Sequence, residues 1–185
     1  IKSSAASDVY KRQLLTCGIF DAGMPFLRIS YYFTSATLVA LGLHAIYYFR
    51  TALDIRYVIF LALATLGADT FAYFVGRAIG KHKLNPRLSP KKTIEGSIGG
   101  IVCGGLLGLA YAYCVQIPYS LPYLALMSFV LATTGQIGDL TFSSIKRTFE
   151  VKDYSQIFPG HGGVLDRFDS IIFNSMILGF LLTLL

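Results

Sequence analysis

Five apolar blocks alternate with polar stretches along the chain. Each block comes close to the roughly 20 residues that a membrane-spanning helix needs, and none shows the strict alternation of a half-buried strand. The blocks cover residues 30–49, 57–79, 98–115, 121–138 and 170–185, of which the last is a little short. In residues 14–29 charged residues and a proline interrupt the apolar pattern, which predicts an interfacial or truncated helix. The pattern predicts an all-α fold, a polytopic transmembrane helical bundle.

Two polar stretches between the blocks, residues 80–97 and 139–169, are rich in cations. Pro86 and Pro90 prevent the first stretch from forming a regular helix. The opposite side of the predicted bundle carries only Arg50 and Arg56, so the positive-inside rule predicts that both polar stretches face the cytoplasm. The cations of the two stretches are Lys81, Lys83, Arg87, Lys91, Lys92, Lys146, Arg147, Lys152 and Arg167.

Composition supports a membrane protein. The chain is 54% hydrophobic and 14% charged, whereas soluble domains are about 25% charged. Because the cations that give the net charge of +6 cluster between apolar blocks, they suit anionic lipid and phosphate better than nucleic acid. We interpret residues 1–13 as a non-native or linker segment and residues 14–185 as one transmembrane catalytic domain.

Three aspartates lie where the fourth block ends and the fifth begins. Asp166 and Asp169 are three residues apart, so they share a helix face if the last helix begins near Asp166. A helical hairpin can bring Asp139 to the same place. Three carboxylates suit Mg²⁺, which retains waters and binds substrate phosphates. The alternative is that these carboxylates only favour a helix start and pair with Arg167.

A glycine-rich turn precedes the last helix. "PGHGG", residues 159–163, allows a tight turn and a close approach to a ligand, and its N–H groups before a helix start can hold a phosphate. Short glycine runs are common, but this one adjoins the "DRFD" carboxylates and shares a predicted membrane face with the basic "SPKK". Together these motifs predict a phosphate and metal site at the depth of lipid headgroups.

The sequence "SSIKRTFEVKDYSQIFPGHGGVLDRFD", residues 143–169, resembles the signature of phosphatidate cytidylyltransferases, also called CDP-diacylglycerol synthases. The block "ADTFAYFVGRAIGKHKLNPRLSPKKTIEGS", residues 68–97, and "GDL", residues 138–140, also resemble that family. The resemblance covers residues 30–185 and corresponds to the C-terminal part of such an enzyme. Phe71 and Tyr154 depart from the family pattern, since small residues are usual at both positions.

The resemblance implies that CMP passes from CTP to phosphatidate, with Mg²⁺ required and two metal ions as one option. Asp139 and Asp166 are the expected metal ligands, and Asp169 is a ligand or a neighbour of one. The expected contacts to CTP and phosphatidate are Lys91, Lys92, Lys146, Arg147, Lys152, Asp153, Gly160, Gly162 and Gly163. Arg167 either contacts phosphate or holds Asp166 in place. His161 binds phosphate, carries a proton or supports the glycine turn.

Asp69 interrupts an apolar block, and an ionisable residue inside a membrane is a functional candidate by default. We expect it to take part in substrate binding. Its structural alternatives are a pair with Arg77 or a hydrogen-bonded packing role. Two other functions remain open: a secondary transporter, which also places charges in broken helices, and a related lipid-linked transferase such as a polyprenol kinase. The expected location is the bacterial cytoplasmic membrane, with the active site facing the cytoplasm and a homodimer as an option.

Overall fold

The computed structural model describes residues 26–86, 88–148 and 165–184. Within them the predicted all-α architecture is confirmed: five α-helices follow one another, with one short antiparallel hairpin between the second and the third. The elements are α1 (Phe26–Tyr48), α2 (Ile55–Ile79), β1 (Lys83–Asn85), β2 (Ser89–Thr93), α3 (Ile94–Cys114), α4 (Leu121–Thr148) and α5 (Leu165–Thr183).

Four of these helices are long and apolar enough to cross a membrane: Phe33–Leu53, which includes a π-helical turn after α1, Ile55–Ile79, Ile94–Cys114 and Leu121–Lys146. A shorter apolar stretch, Phe168–Thr183, forms most of α5. The chain is therefore a membrane protein. The fifth predicted span exists as a helix, and its apolar part is shorter than the other four, as its sequence indicated.

Two boundaries differ from the sequence prediction. The polar stretch 80–97 was expected to be a loop without a regular helix, but it contains the β1–β2 hairpin and the first turn of α3, where the Thr93 side chain accepts a hydrogen bond from Gly96 N at 3.2 Å. The fourth helix was expected to end near residue 138, but it continues to Thr148. The charged segment that follows the apolar block is therefore helical at its start. An apolar block shows which part of a helix can lie in the membrane, and it does not show where the helix ends.

Glycines allow α2 and α3 to pack in direct backbone contact. A Cβ at Gly104 would lie 2.5 Å from Ala68 N, and one at Gly96 would lie 2.5 Å from Ala72 O. Gly96, Gly100, Gly104 and Gly108 recur every fourth residue and so form one face of α3. Small residues at such an interface let two membrane helices approach closely, and this contact holds Asp69 beside α3.

A buried asparagine of α5 joins two other helices, α2 and α4, at the centre of the bundle. Asn174 Nδ2, on α5, donates to Thr65 Oγ1 on α2 and to Leu131 O on α4, each at 2.7 Å. Thr134 Oγ1 donates to Asn174 Oδ1, also at 2.7 Å. Asn174, Thr65 and Leu131 are all fully buried. These contacts hold the middle of α5 against α2 and α4, about one turn beyond Ser170, which lines the candidate site.

At the end of the bundle opposite the hairpin, one local contact caps α2 and one distant contact joins α2 to α3. Asp54 caps α2 by accepting a hydrogen bond from Arg56 N at 2.8 Å, and this bond lowers the pKa of the Asp54 carboxyl below its ordinary value. Arg56 Nη1 donates to Val115 O, at the end of α3, at 3.0 Å. The start of α2 and the end of α3 therefore lie together, away from the hairpin.

Candidate functional site

A cavity of about 450 Å³ lies at the hairpin end of the bundle. α2, β2, α3, α4 and α5 all contribute to its wall. The wall contains three carboxylates and two lysines, which a bundle of apolar helices has to bring together from distant parts of the sequence. These five side chains are Asp69, Lys91, Lys92, Asp139 and Asp169.

Asp69 lies on α2 inside a candidate membrane span. Its Oδ2 accepts a hydrogen bond from Ser170 Oγ, on α5, at 3.3 Å. The alternative pairing with Arg77 is absent from the described contacts, since Arg77 Nη1 donates to the Tyr73 hydroxyl at 3.3 Å. Asp69 therefore faces the cavity and links α2 to α5.

Asp139 lies on α4 and forms an ion pair with Lys92 of the hairpin. Both side chains are largely but not fully covered, with 25% of Lys92 and 29% of Asp139 exposed. The hairpin is held over the cavity at its base by Glu95, whose carboxylate accepts hydrogen bonds from Lys81 N at 3.1 Å and His82 N at 3.2 Å. The basic hairpin and the acidic helix, predicted to share one membrane face, are therefore in direct contact.

Asp169 lies on α5 and is almost fully buried. Its Oδ2 lies 3.7 Å from Lys146 Nζ, and the exposed fractions of the two side chains are 6% and 10%. Asp169 Oδ1 accepts a hydrogen bond from Ser170 N at 2.7 Å, while Oδ2 accepts none from the described residues. Asp139 and Lys146 are about two turns apart on α4, so they share a face. Because Lys146 contacts Asp169, this face of α4 lies against the start of α5. Asp139 and Asp169 therefore line the same cavity, in agreement with the expected helical hairpin.

The electrostatics of this cavity are those of a crowded set of opposite charges. Asp139 repels both Asp69 and Asp169, while Lys92 attracts Asp69 and Lys146 attracts Asp169. These side chains are partly or almost fully buried, so their interactions are stronger than on an open surface. Such a site favours ligands that carry both negative phosphate and a balancing cation.

The donor chemistry of this cavity fits a magnesium ion. Asp139 and Asp169 are hard oxygen donors, and Asp169 Oδ2 is a buried acceptor without a hydrogen bond from the described part of the chain. In residues 26–86, 88–148 and 165–184, no group of three His, Cys, Asp or Glu side chains forms a ready metal-binding cluster. Mg²⁺ commonly takes only one or two protein carboxylates, and waters and substrate phosphates complete its coordination.

Several predicted residues lie beyond what the structure describes. Arg147, Asp166 and Arg167 belong to helical backbone at the end of α4 and the start of α5, and their side chains are outside the description. The start of α5 at Leu165 agrees with the condition under which Asp166 and Asp169 share a face. The residues outside the described ranges are Lys152, Asp153, Gly160, His161, Gly162 and Gly163.

The cavity wall also contains a polar pair that was not predicted from the sequence. Ser97 Oγ on α3 donates to Gln136 Oε1 on α4, and Gln136 Nε2 donates back to Ser97 O at 3.1 Å. Gln136 is buried, about one turn before Asp139. A glutamine inside an apolar block was the available signal, since polar side chains in membrane helices commonly hydrogen-bond to a neighbouring helix.

Comparison with known proteins identifies the family. Residues 13–185 match the family model described as the cytidylyltransferase family. The chain belongs to the cytidylyltransferase family. The family resemblance predicted from the motifs is thereby confirmed.

Three relatives show how far the similarity extends. The phosphatidate cytidylyltransferase of Staphylococcus epidermidis strain RP62A is 43% identical over 158 residues, which cover 85% of this chain and 60% of the relative. That of Staphylococcus haemolyticus is 40% identical with the same coverage. That of Bacillus subtilis is 45% identical over 130 residues, or 70% of this chain and 48% of the relative. The chain spans at most 60% of the length of these curated relatives.

Proposed function

We propose that this chain carries the catalytic part of a phosphatidate cytidylyltransferase, which converts CTP and phosphatidate into CDP-diacylglycerol and pyrophosphate. One observation carries the proposal: three carboxylates and two lysines line a single cavity at one end of membrane-length apolar helices. A nucleotide from water and a lipid phosphate from the membrane can meet at such a place. The family membership and the printed name of the relatives support the same reaction.

The reaction asks the protein mainly to position substrates and neutralise charge. A phosphate oxygen of phosphatidate attacks the α-phosphorus of CTP and forms a new P–O bond. The bond between that phosphorus and the oxygen bridging to the β-phosphate breaks, and its electrons leave with pyrophosphate. No side chain has to become a covalent intermediate. Holding both substrates in line can supply much of the rate enhancement.

The basic residues of the site are proposed to contact the two substrates. Lys91 is exposed at the cavity rim and lies where a triphosphate can reach it. Lys92 and Lys146 are paired with Asp139 and Asp169, so they can hold these carboxylates in place as well as bind phosphate. Arg147, Lys152 and Arg167 remain proposed phosphate contacts, and His161 with Gly160, Gly162 and Gly163 remains the proposed phosphate turn.

The proposed cofactor is Mg²⁺. Asp139 and Asp169 would hold it, and Asp166 remains a further candidate ligand. When bound, the metal would neutralise negative charge on the phosphates and stabilise the leaving pyrophosphate. Lys92 and Lys146 would keep the carboxylates oriented toward the cavity.

The proposed location is the bacterial cytoplasmic membrane, with the cavity facing the cytoplasm. The hairpin and the end of α4 lie at the same end of the bundle, because Lys92 pairs with Asp139. These segments carry more Lys and Arg than the end that contains Arg50 and Arg56, which supports a cytoplasmic orientation under the positive-inside rule. CTP is a cytoplasmic substrate in this proposal.

The decisive experiment follows α-labelled CTP into extractable lipid, with phosphatidate and Mg²⁺ supplied. The parent chain should label lipid, and Asp139→Asn should reduce the rate by about 10²–10³-fold, since an essential phosphate-neutralising group is lost. Asp54→Asn is the matched control, because it replaces a carboxylate at the far end of the bundle. Its rate should stay within about twofold of the parent.

The alternatives predict different results. A lipid kinase would label lipid from γ-labelled CTP and not from α-labelled CTP. A secondary transporter would move solute into vesicles without forming labelled lipid. Equal rates in the parent and in Asp139→Asn would overturn the assignment of Asp139.

A further inference from the structure

Exposed residues line the cavity at two of its edges. Among its lining residues only Leu66, Tyr73 and Lys91 are exposed. Lys91 belongs to the polar hairpin, whereas Leu66 and Tyr73 lie about two turns apart on α2, so they share one face of that helix with Asp69 between them. Because α2 is a candidate membrane span, this second edge of the cavity opens toward lipid.

An arginine stands directly beside that lipid-facing edge. Arg77 lies about one turn after Tyr73, near the hairpin end of α2, and donates a hydrogen bond from Nη1 to the Tyr73 hydroxyl at 3.3 Å. Arg77 is exposed, and no carboxylate of the described residues lies within 4 Å of it. Within the described part of the chain its charge is therefore not paired with a carboxylate, which suits an anionic ligand.

Apolar side chains surround this arginine on the same outer part of α2. Phe74 is 59% exposed and Ile79 is 61% exposed, and the rings of Tyr73 and Phe74 meet edge to face at 5.6 Å between centroids. Aromatic rings and an arginine at the end of a membrane helix lie at headgroup depth, where acyl chains and lipid phosphates are both within reach. The surface suits a ligand with a phosphate head and hydrocarbon tails.

We propose that Tyr73 and Arg77 form an entry site for the lipid substrate, in which Arg77 binds the phosphate of phosphatidate before the lipid moves toward Asp69 and Asp139. The proposal rests on the function proposed above and deepens it, because it names the side chains that would bind the phosphate of the lipid substrate. A guanidinium can bind two phosphate oxygens at once. Tyr73 holds the guanidinium at the rim, and the exposed rings contact the acyl chains.

The kinetic test uses mixed micelles in which the mole fraction of phosphatidate is varied at a saturating concentration of CTP. Arg77→Gln should raise the KM for phosphatidate roughly tenfold, as expected for the loss of a charge-assisted contact, while the KM for CTP stays within about twofold of the parent. Tyr73→Phe removes only the hydroxyl that orients Arg77 and should raise the KM for phosphatidate by about threefold. Lys83→Gln is the matched control, since it removes an exposed cation of the hairpin that does not line the cavity.

A binding test separates this proposal from the reaction itself. The probe is phosphatidate with a diazirine in one acyl chain, photolysed with the parent chain in detergent micelles without CTP. Labelling of α2 should fall roughly tenfold in Arg77→Gln and persist in Lys83→Gln. Unlabelled phosphatidate should compete, whereas diacylglycerol and inorganic phosphate at the same concentration should not.

The outcomes are distinguishable. Labelling that depends on Arg77 in a chain that forms no CDP-diacylglycerol would retain the lipid-phosphate site and overturn the proposed function. Equal labelling of parent and Arg77→Gln, or no labelling of the parent, overturns the entry site. So does displacement by inorganic phosphate as effective as displacement by phosphatidate, because the site would then recognise any anion. An equal rise in both KM values would show that Arg77 acts on the whole cavity, which also contradicts the proposal.

Discussion

The two ends of the helical bundle use the same types of charged residue in different ways. At one end Asp54 and Arg56 are sequence neighbours, their side chains are 37% and 42% exposed, and the aspartate caps a helix. At the other end Lys146 and Asp169 come from different helices and are 10% and 6% exposed. The exposed charges are close in sequence and cap the start of one helix. The buried charges are far apart in sequence, and only the folded bundle brings them together.

The difference shows which end of the bundle carries the desolvation cost of buried charges. Burying a charge pair costs desolvation that its mutual attraction often fails to repay, so buried pairs are weak evidence for stability. At the cavity end the chain buries such pairs among apolar helices, while at the other end it leaves a similar pair in water. The buried charges are therefore better explained by a site that handles charged substrates than by a need for stability.

Replacing the lysine of the most buried pair should give the largest effect on stability. Lys146→Met keeps the length of the side chain but leaves Asp169 without its cation, and removal of one partner of a buried pair typically costs about 3–5 kcal/mol. The free energy of unfolding in mixed micelles should fall by that order. Arg56→Met, at the exposed end, should cause a far smaller loss.

A double variant tests whether the loss comes from the uncompensated charge. Lys146→Met combined with Asp169→Asn should recover at least half of the lost stability, because the remaining amide is neutral. The activity should not recover, since both residues belong to the proposed site. A double variant no more stable than Lys146→Met would contradict this account of the pair.

Most of the helical architecture was available from the sequence, since apolar blocks of membrane length specify helices directly. The convergence of Asp139 and Asp169 was also predictable. Asp139 directly follows the fourth apolar block and Asp169 directly precedes the fifth, so both were expected at the same membrane face. In contrast, the continuation of α4 to Thr148 had no hydrophobic signal. Once a helix leaves the membrane, its propagation depends on backbone hydrogen bonds and packing, and not on hydropathy.

The partners within the site were harder to predict. Lys91 and Lys92 are neighbours in one short strand. Lys92 pairs with Asp139 of α4 while Lys91 remains exposed, and only the position of the hairpin relative to α4 decides which of the two forms the pair. The contact between Ser97 and Gln136 depends on the close approach of α3 and α4. Both depend on the relative position of elements distant in sequence, which a local pattern of residues does not specify.

The Ser97–Gln136 pair provides an intermediate test of the comparison. Gln136→Met keeps the side-chain volume but removes both hydrogen bonds to Ser97, which lie about one turn from Asp139. The position of Asp139 then becomes less well defined, and kcat should fall roughly tenfold while the KM for CTP stays within about twofold. Steady-state kinetics with α-labelled CTP measure both constants.

A neighbouring threonine provides the matched control for this experiment. Thr133 Oγ1 donates to Phe129 O of its own helix at 2.8 Å, so Thr133→Val removes a polar group of α4 that does not reach the cavity wall. Its kcat should remain within about twofold of the parent. A rise in the KM for CTP without a fall in kcat would show that Gln136 contacts substrate and does not act by positioning Asp139.

The smallest effect is expected for Asp54, and it should depend on pH. The hydrogen bond from Arg56 N lowers the pKa of the Asp54 carboxyl below its ordinary value of 3.8, so the carboxylate stabilises the folded state above that pH. The contribution should be lost as pH falls through the lowered pKa. Asp54→Asn retains a capping side chain but cannot titrate, so the parent should be slightly more stable at pH 7 and should lose that advantage progressively as the pH falls below 3.8. Unfolding in micelles at pH 7 and at a series of acidic pH values measures the difference. A larger advantage of the parent in acid would contradict the assignment of Asp54 as a carboxylate cap, and a loss of activity at pH 7 would show that the exposed end also contributes to the site.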